Sequence, residues 1–321
     1  MKPLVSIVIP AHNAETSLAR TIDSVLIQKY ASLEVIVVDD GSEDKTLDVA
    51  QAYGSKIRVA EQQNQGQGSA RNHGIRLASG ELIAFLDSDD YWKPGFLDVC
   101  VSFLQSHPTA VAVNTGSTFV MRDGSQSNHP VLSVEDQNDL QPRILDNFFS
   151  FWAQYDHVRT GTCLMRTDVV RATGGQCEDL RISQDLEFWG MLGTKGEWGF
   201  IPEPYWVGDS RVVSKNSGFQ KKYSQRRRLC PTVEQWERRL KDEITSSNRL
   251  DYEKVRGRVA AGYMYAKIVA GDFDGARHIM KSYGNTMPDS LVHKVLSMAS
   301  KFGNVGWRIG AKTIALRERL K

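Results

Sequence analysis

Within its first 90 residues the chain passes three times from a short apolar segment through a turn into a helical pattern, then opens a fourth apolar segment. That alternation restricts the fold more than any other feature of the sequence. Val5, Ile7, Val8 and Ile9 are β-branched and closed by Pro10, as in a buried strand, and Leu18, Ile22, Val25 and Leu26 follow at helical spacing. Residues 34–40 hold an apolar run from Val35 to Val38 ending in Asp39 and Asp40, which suits a parallel strand covered on both faces. Gly41, Ser42, Glu43 and Asp44 supply turn and cap chemistry before the next helix. A strand over 57–60 and a Gly-rich turn precede a helix over 70–78, and residues 81–87 form the fourth strand. Strands and helices at this spacing predict right-handed crossovers and an α/β fold, with a mainly parallel sheet flanked by helices. Ligands then bind beyond the carboxyl ends of the strands.

Acidic residues sit at those ends. Asp39 and Asp40 close the second strand and Asp87, Ser88, Asp89 and Asp90 close the fourth, so carboxylates far apart in sequence converge on one sheet edge. Two carboxylates one residue apart, Asp87 and Asp89, can face one hard cation, Mn²⁺ or Mg²⁺. Such an ion takes one or two protein carboxylates and completes its shell with water and phosphate oxygens. A solvated acidic turn is the plain alternative. Residues 64–74, from Asn64 through Gly66 and Gly68 to Arg71 and Gly74, bring backbone amides and a guanidinium to a helix start, a natural place for phosphate oxygens. The Gly-x-x-x-x-Gly-Lys-Ser/Thr loop is missing, and no dinucleotide fingerprint follows the first strand. Both absences argue against P-loop hydrolysis and nicotinamide chemistry.

Together, residues 6–15, 37–42, 66–74 and 87–90 resemble glycosyltransferase family 2. The likeness covers roughly residues 4–210 and continues through 162–175, 182–189 and 201–204 in the family's order. It implies a nucleotide-diphospho-sugar fold of type GT-A, a divalent metal, and inverting transfer of a sugar to a hydroxyl acceptor. The donor is a nucleotide-diphospho-sugar, with UDP-sugars the first guess from the family's habits. The acceptor is a saccharide or lipid-linked saccharide in surface polysaccharide or glycolipid synthesis. By the same resemblance Pro10, Ala11, Asn13 and Glu15 line the nucleoside side, Asp40 contacts the base, and Arg71 lies near base or diphosphate. Asp87 and Ser88 face the ribose and sugar, and Asp89 is the favoured metal ligand with Asp87 beside it; a set that includes Asp90 is the alternative. Asp185 is the candidate base that takes the acceptor proton. Gln184 stands where the family usually carries Glu, and an Asp at a helix start is also an ordinary cap.

Trp189, Trp198, Tyr205 and Trp206 can stack on sugar faces but more often form core, and His12, His157 and Cys163 read as structural or surface residues. Two other functions are weighed. A nucleotidyltransferase acting on sugar phosphates would open with a Gly-rich basic loop after the first strand, which Pro10, Ala11, His12 and Asn13 are not. A non-catalytic sugar-binding protein would fail a donor-hydrolysis assay with Mn²⁺.

The formal net charge of +2 hides two fields: residues 1–210 carry 16 basic and 28 acidic residues, and residues 211–321 carry 24 and 10. The expected division is a catalytic domain over 1–215, donor side about 1–116 and acceptor side about 117–215, followed by a basic helical region over 216–321. A polar excursion is expected from residue 117 to 147, and a helical hairpin turns at Gly271 and Asp272. Leu291, Val295, Met298, Phe302, Val305 and Ile309 form an apolar stripe flanked by Lys294, Lys301 and Arg308, interrupted by Gly303, Gly306 and Gly310. The stripe either packs on the catalytic domain or docks on an anionic membrane surface. Nucleic acid is not an expected partner, because no recognised module accompanies the basic tail. No apolar run approaches the ~20 residues of a membrane span, and the N-terminus lacks a signal-peptide pattern. Residues 225–229 lack the Trp of the processive QxxRW signature. Four widely spaced cysteines suit a reduced chain. The expected location is cytoplasmic, peripheral on the inner face of the cell membrane.

Overall fold

The computed structural model describes residues 2–133, 140–211, 229–289, 291–303, 305–310 and 312. The chain divides into two compact units, Met1–Asp179 with Gln184–Ser214, and Leu180–Ser183 with Lys215–Lys321. The first unit opens with β1 (Val5–Ala11), α1 (Leu18–Leu26), β2 (Leu33–Asp39), α2 (Thr46–Gln51), β3 (Arg58–Glu61), α3 (Gln67–Leu77) and β4 (Leu82–Phe85). It continues through β5 (Asp90–Trp92), α4 (Phe96–Ser106), β6 (Ala110–Val120), β7 (Gln126–His129), β8 (Arg143–Ile144) and α5 (Phe148–Tyr155). The last elements are β9 (Cys163–Arg166), α6 (Thr167–Ala172), α7 (Gln184–Gly193) and β10 (Glu197–Asp209).

One sheet runs in the order β3-β2-β1-β4-β9-β6-β10-β5, with β7 on β6 and β8 on β10. The four strands of the βα cycles are parallel to one another. Beyond β4 the sheet is mixed: β9 is antiparallel to β4 and β6, β10 is parallel to β6, and β5 is antiparallel to β10. Antiparallel pairing needs no crossover helix, and these later strands return through loops. Because β1 lies between β2 and β4, the winding direction reverses at β1, and a crevice opens beyond the carboxyl ends of β1 and β4.

Both faces of the parallel strands are covered, which is why their sequences read as unbroken apolar runs. On one face Val5, Ile7, Ile9, Val35 and Val37 share a core with Leu18, Ile22 and Val25 of α1 and Leu97, Cys100 and Val101 of α4. On the other face α3 approaches β1 so closely that a Cβ at Gly74 would stand 2.2 Å from Val8 Cγ1. A larger residue there would lift α3 from the sheet, and with it Arg71.

The expected polar excursion begins later than residue 117, because β6 stays buried to Val120. Its polar side chains find partners inside: Trp198 Nε1 donates to Asn114 Oδ1 at 2.8 Å, and Lys93 Nζ to Thr118 Oγ1 at 3.1 Å. β10 accommodates Pro202 and Pro204 at register shifts, where the ladder lacks regular amide donors.

In the second unit α8 (Val233–Glu237), α9 (Arg249–Ala270), α10 (Phe273–Tyr283) and α11 (Leu291–Ser300) follow one another. α9 and α10 form the expected hairpin: Gly271 takes φ +81°, and Asp272 caps α10 by accepting from Gly275 N at 2.9 Å. Trp236 stacks on Tyr252, whose hydroxyl donates to Glu237 at 2.8 Å. The apolar stripe stands exposed, Met298 at 64% and Phe302 at 72% with Val295, Val305 and Ile309, while Leu296 and Trp307 are buried. Gly303 takes φ +57° within it. The Leu291 side chain and the basic stretches at 221–222 and 226–228 lie outside the described residues. No helix among the described residues is long and apolar enough to cross a membrane.

Candidate active site

The loops after β1 and β2 are laced together. Asn13 takes a left-handed backbone, φ +51°, so that its amide donates to Ser42 Oγ at 3.0 Å and its Oδ1 accepts from Glu43 N at 2.9 Å. Ala14 N donates to Thr46 Oγ1 at 2.7 Å, and Glu15 Oε2 accepts from Lys45 N at 3.1 Å. Pro10 and Ala11 are buried at the end of β1, and Asp40 N donates to Ala11 O at 2.8 Å. Gly41, at φ +69°, lies so near the next loop that a Cβ would meet Asn64 N at 2.9 Å.

Asp40 is buried and fully engaged. Oδ1 accepts from Gln62 Nε2 and Gln65 N, and Oδ2 from Gly66 N, each at 2.8 Å. Its carboxylate therefore shapes the 62–66 loop that leads into α3.

Four residues further along α3's first turns, Arg71 is 1% exposed, and its Nη2 donates to Asp87 Oδ1 at 2.6 Å. Nε and Nη1 are buried without a hydrogen-bond partner among the described residues. Buried donors of a charged group are seldom left open. Asp87, Ser88, Asp89 and Asp90 follow β4 and are all half-buried. Burial, then the charges of Asp87 and Asp89, push the Asp90 carboxyl well above the usual carboxylate range. Asp185 sits in the first turn of α7, after Ser183 at φ +62°. Burial raises its carboxyl as well, the Arg71 charge opposes that rise, and the Asp87 charge adds to it. Arg71, Asp87 and Asp185 thus lie within electrostatic reach of one another although 114 positions separate the outer two. Gln184 packs over the first turn of α3, its Cγ 3.4 Å from where a Gly68 Cβ would be.

Among the described residues no three His, Cys, Asp or Glu side chains form a ready-made metal set. The crowding of Asp87, Asp89 and Asp90 nevertheless fits a divalent cation that takes one or two carboxylates and leaves other positions to phosphate oxygens. Trp189, Trp198 and Trp206 are buried as core, His157 packs among Phe148, Phe151 and Phe200, and His12 is exposed beside Asn13 and Asn64.

Sequence reasoning overlooked the contacts that Arg20 and Thr21 of α1 make with the carbonyls of the turn after β4, and that of Arg20 with Asp209 at the end of β10. The available signal was Thr21, a hydroxyl on the apolar face of α1 between Leu18 and Val25, which burial obliges to find a partner.

The family model for glycosyl transferase family 2 matches residues 6–170, just over half of the chain. The putative teichuronic acid biosynthesis glycosyltransferase TuaG of Bacillus subtilis is 32% identical over 61% of this chain and 74% of its own length. An uncharacterized glycosyltransferase of Rickettsia typhi is 32% identical over 58% of each chain, so the match spans less than two thirds of that relative. Chondroitin synthase of Escherichia coli is 37% identical over 41% of this chain and 20% of its own length. Among solved structures, the mannosyltransferase PcManGT of Pyrobaculum calidifontis, in complex with GDP-Man and Mn²⁺, has a TM-score of 0.59 at 17% identity, covering 98% of this chain and 85% of that one. S. aureus TarS 1-349 with UDP-GlcNAc has a TM-score of 0.58 at 18% identity, covering 89% and 93%. Those likenesses establish the GT-A fold, and with the sequence matches they show that the chain belongs to glycosyltransferase family 2.

Proposed function

We propose that residues 1–215 form a metal-dependent inverting glycosyltransferase domain that moves a sugar from a nucleotide-diphospho-sugar to a hydroxyl of a saccharide or lipid-linked saccharide acceptor. The donor side lies over about 1–116 and the acceptor side over about 117–215. Membership of the family removes the nucleotidyltransferase alternative. The observation that carries the reading is the ion pair of the buried Arg71 with Asp87, within electrostatic reach of Asp185, beyond the carboxyl ends of the parallel strands.

Pro10, Ala11, Asn13 and Glu15 line the nucleoside side, and Asp40, at the root of the 62–66 loop, contacts the base. Asp89, with Asp87, holds Mn²⁺ or Mg²⁺, which when bound supplies countercharge to the departing diphosphate. Asp87 and Ser88 face the ribose and sugar, and the open donors of Arg71 suit a diphosphate oxygen. Asp185 takes the acceptor hydroxyl proton as the oxygen bonds to the anomeric carbon, and the bond to the diphosphate breaks on the opposite face. Its raised carboxyl makes it a stronger base than an exposed aspartate.

UDP-sugars are the first donors to test, since TarS was solved with UDP-GlcNAc, with GDP-mannose second from PcManGT. TuaG's name supports synthesis of a surface polysaccharide. The basic region over 216–321 docks on an anionic membrane surface on the cytoplasmic side, which the exposed Met298, Phe302 and Val305 beside Lys294, Lys301 and Arg308 support.

Thermal shift with UDP- and GDP-sugars, with and without Mn²⁺, tests the donor and metal, because stabilisation follows ligand concentration over Kd. Asp185→Asn should keep donor stabilisation and lose transfer by roughly 100-fold or more; full transfer would overturn the base assignment. Sedimentation with anionic and neutral vesicles tests docking, and equal binding to both removes it.

A further inference from the structure

The carboxylates of the Asp87–Asp90 turn are crowded, so something else must hold its backbone. That hold comes from α1. The Thr21 hydroxyl, buried, lies 2.7 Å from Asp90 O and 3.0 Å from Ser88 O, one proton shared between two carbonyls. Arg20 Nη2 donates to Asp89 O at 2.7 Å, so three consecutive carbonyls of the turn are gripped by two neighbouring side chains. Ser24, one helical turn on from Thr21, accepts from Trp92 N at 3.2 Å and donates back to Thr21 O at 2.7 Å.

Arg20 is itself anchored. Its Nη1 donates at 2.9 Å to Asp209, whose side chain is 1% exposed and also takes Nε and Nη2 of Arg211 at 2.9 Å. The guanidinium lies 4.6 Å from the Tyr91 ring centroid, a cation over the aromatic face of the same turn. The fork of Arg20 therefore ties the turn after β4 to the end of β10, two places that are adjacent only because β5 pairs with β10. A lysine could not make both bonds at once with one compact ammonium.

We propose that Arg20 and Thr21 are positioning residues: they fasten the Ser88, Asp89 and Asp90 carbonyls from behind and so fix the carboxylates of Asp87 and Asp89 in place for a divalent cation and a nucleoside diphosphate. The inference rests on the metal reading above for its ligand, but the grip itself is a property of the protein alone. Bonds to the three carbonyls fix the path of the turn without drawing on a carboxylate oxygen.

The variants are Thr21→Val, which keeps shape and removes the donor, Thr21→Ser, which restores it, and Arg20→Gln. Hydrogen exchange of peptides across residues 86–93, in the full chain without ligand, reads the grip. Thr21→Val and Arg20→Gln should speed exchange there about tenfold or more, while α3 and β1 keep their protection and Thr21→Ser behaves as wild type. Electron paramagnetic resonance of free Mn²⁺, titrated with UDP or GDP present, reads the consequence. Both damaging variants should weaken Mn²⁺ binding by about fivefold or more, roughly 1 kcal/mol, and Thr21→Ser should not. Unchanged exchange over 86–93 in both variants overturns the grip, and faster exchange with unchanged Mn²⁺ affinity overturns its role in positioning. A wild-type protein that takes up no Mn²⁺ with either nucleotide removes the metal reading and the positioning role with it, while the exchange result still decides the grip.

Discussion

Two acidic strand ends, Asp39–Asp40 after β2 and Asp87–Asp90 after β4, look alike in sequence and are built in opposite ways. At the first, donors of the chain run to the carboxylates: Gln62, Gln65 and Gly66 to Asp40, and the Ser42 amide to Asp39 at 3.2 Å. At the second, the donors of α1 run to the carbonyls, and the carboxylates crowd until Asp90 is pushed toward its protonated form. The first arrangement spends its negative charge on organising a loop. The second gathers its charge at the crevice, where Arg71 pairs with Asp87 and an incoming cation can offset more of it.

The largest expected effect breaks this comparison at the second end. Asp89→Ala should lower metal-dependent transfer by roughly 100-fold or more, several kcal/mol in the barrier, with little change in melting temperature. Asp40→Ala should act first on stability. It removes the acceptor of two part-buried amides and of the Gln62 side chain, at a cost of about 3 kcal/mol, or about 6–12 °C in melting temperature for a domain of this size. Calorimetry beside a transfer assay separates them. If Asp40→Ala melts as wild type does, the difference between the two ends is gone.

This contrast sets the limit of what the sequence discloses. The strand-end carboxylates and the βα cycles are legible because they are local: period, punctuation and charge lie within a dozen residues. Asp185 was reachable only through a family likeness, because nothing in residues 182–189 reports that Arg71 and Asp87 approach it. β5 is three residues long and exists through its pairing with Trp206, Val207 and Gly208. β6 runs past residue 117 because Asn114 and Thr118 find partners contributed by β10 and by Lys93, more than 20 positions away. The partners of Arg20 lie at positions 89 and 209. Its role follows from the order of strands in the sheet, which no local pattern encodes.

The smallest effect sharpens the comparison from the anchor of the second end. Hydrogen bonds from Arg211, helped by Arg20, hold the Asp209 carboxyl down at about 2, against an ordinary value of 3.8. A depressed carboxylate stabilises the folded chain above its unfolded pKa, near 4, and that contribution is lost as pH falls from about 4 through about 2. Since Arg211 is 52% exposed, solvent screening reduces the contribution to on the order of 1 kcal/mol. Urea midpoints measured from pH 5 down to pH 2 should therefore fall less steeply in Asp209→Asn than in wild type, and Arg211→Ala should flatten the limb more than Arg20→Gln, because the Arg211 bonds are the larger cause. Amide protection over 86–93, taken relative to the intrinsic exchange rate at each pH, should fall over the same window, since a neutral Asp209 no longer restrains the fork of Arg20. An acid limb identical in wild type and Asp209→Asn would show that the end of β10 does not anchor the turn electrostatically, leaving Thr21 as its principal hold.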